Sequence, residues 1–128
     1  MRYLVDTQIA IWALLDDVRL GEPAREALGD LTNECIFSVS SIWEIAIKRA
    51  LKKPGFLHDP REIRRQLLAN GYEELTIQSQ HAVTVDSIPL IHRDPFDRIL
   101  IAQAMVEGIT LLTADPRIAQ YPGPIWKV

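Results

Sequence analysis

The stretch from His92 to Ile118, HRDPFDRILIAQAMVEGITLLTADPRI, contains the pattern that decides the fold. Asp94 and Asp97 stand at the start of an apolar helical segment. A glycine turn then leads into a short apolar strand, Thr110 to Thr113, and Asp115 follows that strand closely. In α/β proteins the residues after a strand and those that begin a helix lie at the same edge of the sheet, where ligands usually bind. The stretch therefore predicts acidic side chains at one sheet edge.

The rest of the chain also alternates strands with helices. The pattern predicts further strands at Arg2–Val5, Glu34–Val39, Tyr72–Ile77 and Ile125–Val128, and helices at Ile9–Leu15, Pro23–Leu28, Ile42–Leu51, from Pro60 to the stop at Asn70, and Ser79–Val85. Such alternation favours a parallel sheet with helices on both faces. We predict an α/β fold, a three-layer α/β/α sandwich around a mostly parallel sheet. A chain of 128 residues can bury one core but not two, so residues 1–128 are expected to form a single domain.

The composition is that of a globular protein, with 48% hydrophobic and 24% charged residues. Charged residues interrupt the first 26 positions, so no apolar run there reaches the length of a membrane span or a secretion signal. We therefore expect a cytoplasmic protein that does not associate with membranes. Cys35 is the single cysteine, which excludes an intramolecular disulfide, and we expect it to be buried and inert.

Basic residues are concentrated in one segment although the net charge is −3. Half of the 14 lysines and arginines lie between Lys48 and Arg65, where only Asp59 and Glu62 oppose them. A solvated helix face with its connecting loop is one explanation for this segment. A rim that contacts phosphate groups is the other.

Two of the acidic residues in the first half of the chain have structural explanations. Asp6 is expected to be the N-cap of the first helix. Ser41 and Glu44 match a capping box, in which the glutamate bonds the amide of the cap residue. Glu44 is also four residues before Lys48, the spacing of a helical ion pair.

The acids of the opening stretch have similar explanations. Asp94, Pro95 and Asp97 fit the N-cap, N1 and N3 positions of a helix, where the macrodipole favours negative charge. Asp115 precedes Pro116 and repeats the cap pattern. Taken one at a time, these residues are explained by capping.

Capping does not explain why Asp6, Glu44, Asp97 and Asp115 are all expected at one edge of a parallel sheet. Carboxylates at that proximity raise one another's pKa unless a cation neutralises them. Mg²⁺ and Mn²⁺ are the ions that prefer carboxylate oxygens and water. Such an ion activates water and stabilises charge on a phosphoryl group, so the pattern predicts metal-dependent hydrolysis of phosphodiester bonds.

Hydroxyl groups accompany the acids. Thr7, Ser40, Ser41 and Thr113 are placed to orient the carboxylates or their waters, although each is also an ordinary cap or strand-end residue.

The sequence lacks the residue patterns that a zinc site or a phosphate-binding loop would require. The three histidines have no ligand spacing for zinc, and the glycines form no phosphate-binding loop. The three tryptophans lie in apolar contexts and are expected in the core or at interfaces.

Four blocks of the sequence resemble the successive motifs of PIN-domain ribonucleases, most closely the VapC-type toxins. The blocks are VDT at 5–7, SVSSIWEIAIK at 38–48, HRDPFDRILIAQA at 92–104 and LLTAD at 111–115. They occur in the family's order and span nearly the whole chain, so the set is specific even though each block alone is weak.

The resemblance implies a three-layer α/β/α fold and Mg²⁺- or Mn²⁺-dependent endonucleolytic cleavage of RNA. It also implies a homodimer and inhibition by a small VapB-type antitoxin. The family's catalytic and metal-binding acids fall on Asp6, Glu44, Asp97 and Asp115, with Thr113 as the hydroxyl beside the last. Asp94 stays open between a helix cap, a ligand or both.

The resemblance also assigns roles to two surfaces. An RNA rim is expected at Lys48, Arg49, Lys52 and Lys53. A groove for an amphipathic antitoxin segment is expected at the helix containing Ile9, Ile11, Trp12 and Leu15 and at Trp43 to Leu51, although core packing explains most of these residues.

Two other functions remain open from the residues. A phosphoacceptor receiver domain also gathers acids at a sheet edge, but it needs a lysine after the last strand, and Lys127 falls within that predicted strand. A catalytically silent binding module with the same fold is the second alternative.

Overall fold

The computed structural model describes residues 1–128, and its strands and helices alternate along the chain. The strands are β1 (Arg2–Val5), β2 (Glu34–Ser38), β3 (Glu73–Leu75), β4 (Thr110–Thr113) and β5 (Ile125–Lys127). The helices are α1 (Thr7–Leu15), α2 (Glu22–Gly29), α3 (Val39–Ala50), α4 (Pro60–Ala69), α5 (Ser79–Val85) and α6 (Pro95–Glu107), with a 3₁₀ turn at Ile118–Gln120.

The five strands form one sheet in the order β3-β2-β1-β4-β5. Every neighbouring pair is parallel. β1 is the central strand, and Leu4 is in register with Ile36 of β2 and Leu111 of β4. The predicted α/β/α sandwich is confirmed, and its sheet is entirely parallel.

Each face of the sheet has its own apolar core. Val5 faces one cluster, which contains residues of α1, α2, α3 and α4. Leu4 faces the other cluster, which contains Leu100 and Ile101 of α6. Adjacent strand residues point to opposite faces, so one short strand contributes to both cores. Burial of each such side chain stabilises the fold by about 1.5–3 kcal/mol.

The start of α3 differs from the prediction. β2 ends at Ser38, and the helix begins at Val39 rather than Ile42. Ser38 is the N-cap because its hydroxyl accepts a hydrogen bond from the amide of Ser40 at 3.0 Å. The predicted capping box of Ser41 and Glu44 is therefore wrong, and Glu44 lies in the second turn of the helix.

Several surface expectations also change. Ile9 and Ile11 are fully buried in the core, so they are not available for the predicted groove, whereas Leu15 and Trp43 are exposed. Cys35 is half-buried, and burial raises the pKa of its thiol, which disfavours the reactive thiolate. None of the helices combines the length and apolar character needed to cross a membrane.

Candidate active site

The predicted acids line one cavity of about 310 Å³ at the carboxyl ends of the central strands. We call it the acidic pocket. Its charged lining consists of Asp6, Glu44, Asp94, Asp97 and Asp115 with the basic residues Lys48 and Arg117. The convergence arises because β1 and β4 are neighbours and end at the same edge, while α3 and α6 begin there.

Asp6 follows β1 and is the N-cap of α1, as predicted. One carboxylate oxygen accepts a hydrogen bond from the amide of Ile9 at 2.8 Å, and the other accepts one from the Thr113 hydroxyl at 2.5 Å. Burial raises its pKa from 3.8 to about 6 against the lowering effect of these two bonds, and repulsion from Glu44 and Asp115 adds to the rise. Capping therefore holds Asp6 in the pocket, but the pKa of its carboxyl stays above that of an ordinary aspartate.

Glu44 is 4% exposed and lies beside Asp6 in the pocket. Its Oε1 accepts a hydrogen bond of 2.6 Å from the hydroxyl of Thr7, and its Oε2 pairs with Lys48. The Thr7 oxygen is also 2.8 Å from the hydroxyl of Ser41. A hydroxyl has one proton to donate, so Ser41 donates to Thr7 while Thr7 donates to Glu44. Thr7 and Ser41, two of the four predicted orienting hydroxyls, thus contact Glu44 directly or through one another. The hydroxyl of Ser40 is buried without a hydrogen-bond partner, so it orients none of the acids.

Asp97 lies in the first turn of α6 and is the least compensated acid of the pocket. Burial, followed by repulsion from Asp94, Glu44, Asp6 and Asp115, raises its pKa from 3.8 to about 8. Its carboxylate accepts no hydrogen bond, and the nearest basic nitrogen is Nε2 of His92, 3.7 Å away. Asp97 is therefore the carboxylate whose charge most needs an added cation.

Asp94 both caps α6 and lines the pocket. Its Oδ1 accepts hydrogen bonds from the amides of Phe96 at 2.9 Å and Asp97 at 3.4 Å. Its Oδ2 lies 4.0 Å from Nζ of Lys48. The predicted capping occupies one oxygen only, and the other faces the pocket.

Asp115 is held by an arginine two residues later. The amide of Arg117 donates to Asp115 Oδ1 at 2.8 Å, and the guanidinium lies 3.1 Å from Oδ2. Burial acts to raise the pKa of Asp115, but the hydrogen bonds and charge of Arg117 outweigh it and lower that pKa. The residue caps a turn rather than a helix, since only a short 3₁₀ segment follows. The predicted repeat of the helix cap is wrong in this respect.

A model of the PIN domain family matches residues 3–124. The chain belongs to the PIN domain family. The resemblance inferred from the four sequence blocks is thereby confirmed at the level of the family. No curated protein matches this sequence closely enough to count as a relative.

Solved structures with the same fold include three VapBC complexes. VapBC2 from Rickettsia felis, bound to a DNA fragment from their promoter, has a TM-score of 0.71 at 15% identity. DNA-bound VapBC from Salmonella typhimurium has 0.68 at 17%, and VapBC-1 from nontypeable Haemophilus influenzae has 0.66 at 18%. Each match covers 99% of this chain and 98% of the other. At these identities the likeness shows the fold.

The basic residues of this PIN domain are not arranged as a continuous rim. Lys48 lies inside the acidic pocket rather than on its edge. Arg49 lies 3.6 Å from Asp59, which offsets part of its charge. Lys52 and Lys53 are exposed and have no carboxylate partner. The RNA rim therefore stays a prediction for Lys48, Arg49, Lys52 and Lys53, and Lys48 in addition lines the acidic pocket.

Several pocket residues could not be foreseen. Trp12, expected in the core or at an interface, lines the pocket with Gln8 and Phe56. His92 reaches Asp97 because the hydroxyl of Tyr121 accepts hydrogen bonds from the amides of Ile91 and His92 and fixes their loop. Only Arg117 could have been predicted from the sequence, because an arginine two residues after an aspartate in a turn can fold back and pair with it.

The donor atoms of the pocket are of the kind that bind a hard divalent cation. They are carboxylate oxygens, which Mg²⁺ and Mn²⁺ prefer. As they stand, no three histidine, cysteine, aspartate or glutamate side chains are arranged to hold one ion. Asp6, Glu44 and Asp115 are each bonded to protein donors. Asp97 has no such bond and is free to ligate.

Proposed function

We propose that this PIN domain is a metal-dependent endoribonuclease that acts as the VapC-type toxin of a toxin–antitoxin pair. The proposal rests mainly on Asp97, whose carboxylate accepts no hydrogen bond although it shares the pocket with four other carboxylates. Family membership and the fold shared with VapBC proteins support it. Such a pocket has too much negative charge to bind an RNA phosphate without a cation.

The ion is Mg²⁺ or Mn²⁺. Asp6, Glu44, Asp97 and Asp115 supply the negative charge that holds it, and Asp97 ligates without losing a hydrogen bond. When bound, such an ion lowers the pKa of a water nucleophile and stabilises charge on the phosphoryl group. The protein's own part is to hold the acids in place.

The neighbouring side chains fix the geometry of that site. Thr113 orients Asp6, and Thr7 orients Glu44. The guanidinium of Arg117 keeps Asp115 ionised and lines the pocket, where it can contact a phosphate oxygen. Lys52 and Lys53 extend the RNA contact, which would make binding weaken as salt increases.

A second copy and an antitoxin are the proposed protein partners. Trp43, Leu90 and Phe96 line an apolar groove beside α6, and Trp43 and Leu90 are largely exposed. An exposed apolar surface of this kind is typical of an interaction site. It supports the homodimer. The antitoxin contact is proposed at Trp12 and Leu15 of α1.

Cleavage of RNA in the presence of Mg²⁺ or Mn²⁺ tests the function. Asp97→Asn is expected to lower the cleavage rate by about 100-fold or more, and EDTA to do the same, because both remove the cation's contribution. Asp86→Asn is the matched control, since Asp86 is an exposed acid outside the pocket. Full activity of Asp97→Asn or in EDTA would contradict the proposal.

The silent binding module makes the opposite prediction for metal. A module without catalysis has no need of the ion, so Mn²⁺ titrated into the metal-free protein would show no saturable binding. The receiver domain is disfavoured because Lys127 lies within β5 and not after it. Labelling of an aspartate by a phosphoryl donor would be required to restore it.

A further inference from the structure

The ammonium group of Lys48 lies inside the acidic pocket. It pairs with Glu44 Oε2 at 2.5 Å and lies 4.0 Å from Asp94 Oδ2. The lysine side chain is 26% exposed, and α3 places it one turn after Glu44 on the same helix face. A positive charge of the protein therefore stands between two of the pocket's five carboxylates.

Two aromatic rings hold this ammonium group in position. Nζ of Lys48 lies 4.7 Å from the ring centroid of Phe56 and 5.9 Å from that of Phe96. Phe56 belongs to the loop before α4, and Phe96 to the first turn of α6. Ring faces attract cations, more strongly when the cation is desolvated. The lysine is thus fixed in the pocket by three separate parts of the fold.

The carboxylates of the pocket divide according to their basic partners. Asp115 is paired with Arg117, and Glu44 and Asp94 share Lys48. Asp6 has hydrogen bonds only from uncharged groups.

Asp97 has neither a lysine nor an arginine partner, and the nearest basic nitrogen, Nε2 of His92, lies 3.7 Å from its Oδ2. Nδ1 of His92 accepts a hydrogen bond from the amide of Asp94 at 3.3 Å, so the imidazole is held by the start of α6. Asp6 and Asp97 are therefore the two pocket carboxylates without a lysine or arginine partner.

We propose that the ammonium group of Lys48 takes the place of a second divalent ion, so that the protein binds one metal ion, at Asp6 and Asp97. The inference rests on the proposed metal-dependent function. In two-metal nucleases the ions lie about 4 Å apart and need carboxylates that contact both. Here the position between Glu44 and Asp94 is already filled by a cation of the protein. Glu44 then contributes by holding Lys48 rather than by ligating a second ion.

Calorimetric titration of the metal-free protein with Mn²⁺ tests the stoichiometry. The wild type is expected to bind one ion per chain. Lys48→Met removes the charge but keeps the length of the side chain, so it is expected to bind a second, weaker ion. Lys48→Arg keeps the charge and should still bind one. Lys53→Met is the matched control, because it removes an exposed lysine that has no carboxylate partner, and it should also bind one.

The spectrum of bound Mn²⁺ gives an independent readout. Two ions about 4 Å apart interact magnetically, so electron paramagnetic resonance is expected to show isolated Mn²⁺ in the wild type and coupled ions in Lys48→Met. Two ions in the wild type, or one ion in a folded Lys48→Met, would overturn the inference and leave the nuclease function standing. The wild-type result decides even if the variant does not fold. Absence of saturable Mn²⁺ binding to the wild type would overturn both.

Discussion

The hydroxyl of Thr113 donates a hydrogen bond of 2.5 Å to Asp6 Oδ2, although the two residues are 107 positions apart in the chain. The same hydroxyl accepts a hydrogen bond of 3.0 Å from the amide of Asp115. Thr113 ends β4 and Asp6 follows β1, so this bond closes the junction between the two central strands at the acidic pocket. Through its two hydrogen bonds, Thr113 links Asp6, the first acid of the pocket in the sequence, with Asp115, the last.

Replacement of Thr113 by valine is expected to move the activity to higher pH. The Thr113 hydrogen bond lowers the pKa of Asp6, which burial has raised to about 6, so its loss raises that pKa and protonates more of the carboxyl near neutrality. We expect a decrease of about two- to tenfold in cleavage rate near neutral pH, with recovery in alkali. The rate measured across pH is the test, and Thr113→Ser, which keeps the hydroxyl, is the control. An equal loss at every pH would show that the effect is purely structural.

The metal-free protein is expected to lose stability as the pH rises. Asp97 has a pKa of about 8 in the folded protein against 3.8 for an ordinary aspartate. The folded state thus holds a proton that the unfolded state has released, and stability falls between these two values as the pH increases. Unfolding by urea in EDTA across this range measures the effect.

Asp97→Asn removes this loss of stability because asparagine has no charge to bury. The variant is expected to be more stable than the wild type above pH 8, by about 1–3 kcal/mol without metal. Addition of Mg²⁺ should stabilise the wild type and not the variant, because a ligand stabilises the state that binds it. A wild type whose stability does not change with pH would show that Asp97 is ionised in the folded protein without cost.

Binding of Mn²⁺ is expected to weaken as the pH falls from about 8. Asp97 and Asp6, with pKa values of about 8 and about 6, must release their protons before they can ligate the ion. Each displaced proton reduces the affinity by up to about tenfold per pH unit. Calorimetry in buffers of different ionisation enthalpy counts the protons released. Release of no proton near neutral pH would contradict this assignment.

Sequence patterns located the acids because strand ends and helix starts are local features. Asp6, Asp97 and Asp115 each adjoin an apolar strand or a capped helix, so the topology alone brings them together. The start of α3 was placed wrongly because Ser38, Ser40 and Ser41 are all suitable caps, and only the end of β2 selects the first.

The neutralising groups of the pocket depend on tertiary packing. Lys48 has the spacing to pair with Glu44, but its position in the pocket is set by Phe56 and Phe96, which come from other elements. His92 is held by Tyr121, 29 residues later, which no local pattern predicts. The acids of the site and the Glu44–Lys48 pair were therefore predictable from the sequence, whereas the position of Lys48 in the pocket and that of His92 beside Asp97 were not.

Replacement of Tyr121 by phenylalanine is expected to destabilise the protein and loosen the loop before α6. The Tyr121 hydroxyl accepts hydrogen bonds from the amides of Ile91 at 3.1 Å and His92 at 2.9 Å, and it lies 3.1 Å from the carbonyl oxygen of His92. Loss of these bonds leaves polar backbone groups unpaired, at a cost of about 1–3 kcal/mol. Urea unfolding measures this cost, and hydrogen exchange should show loss of protection at Ile91 and His92.

Tyr72→Phe is the matched control for that experiment, because the Tyr72 hydroxyl makes no hydrogen bond within the protein and its loss should change stability by less than about 0.5 kcal/mol. The loop leads directly to Asp94, so Tyr121→Phe should also weaken Mn²⁺ binding by disturbing the start of α6, whereas Tyr72→Phe should not. If Tyr121→Phe is as stable as the wild type and its loop amides stay protected, water replaces the hydroxyl and Tyr121 does not position the site.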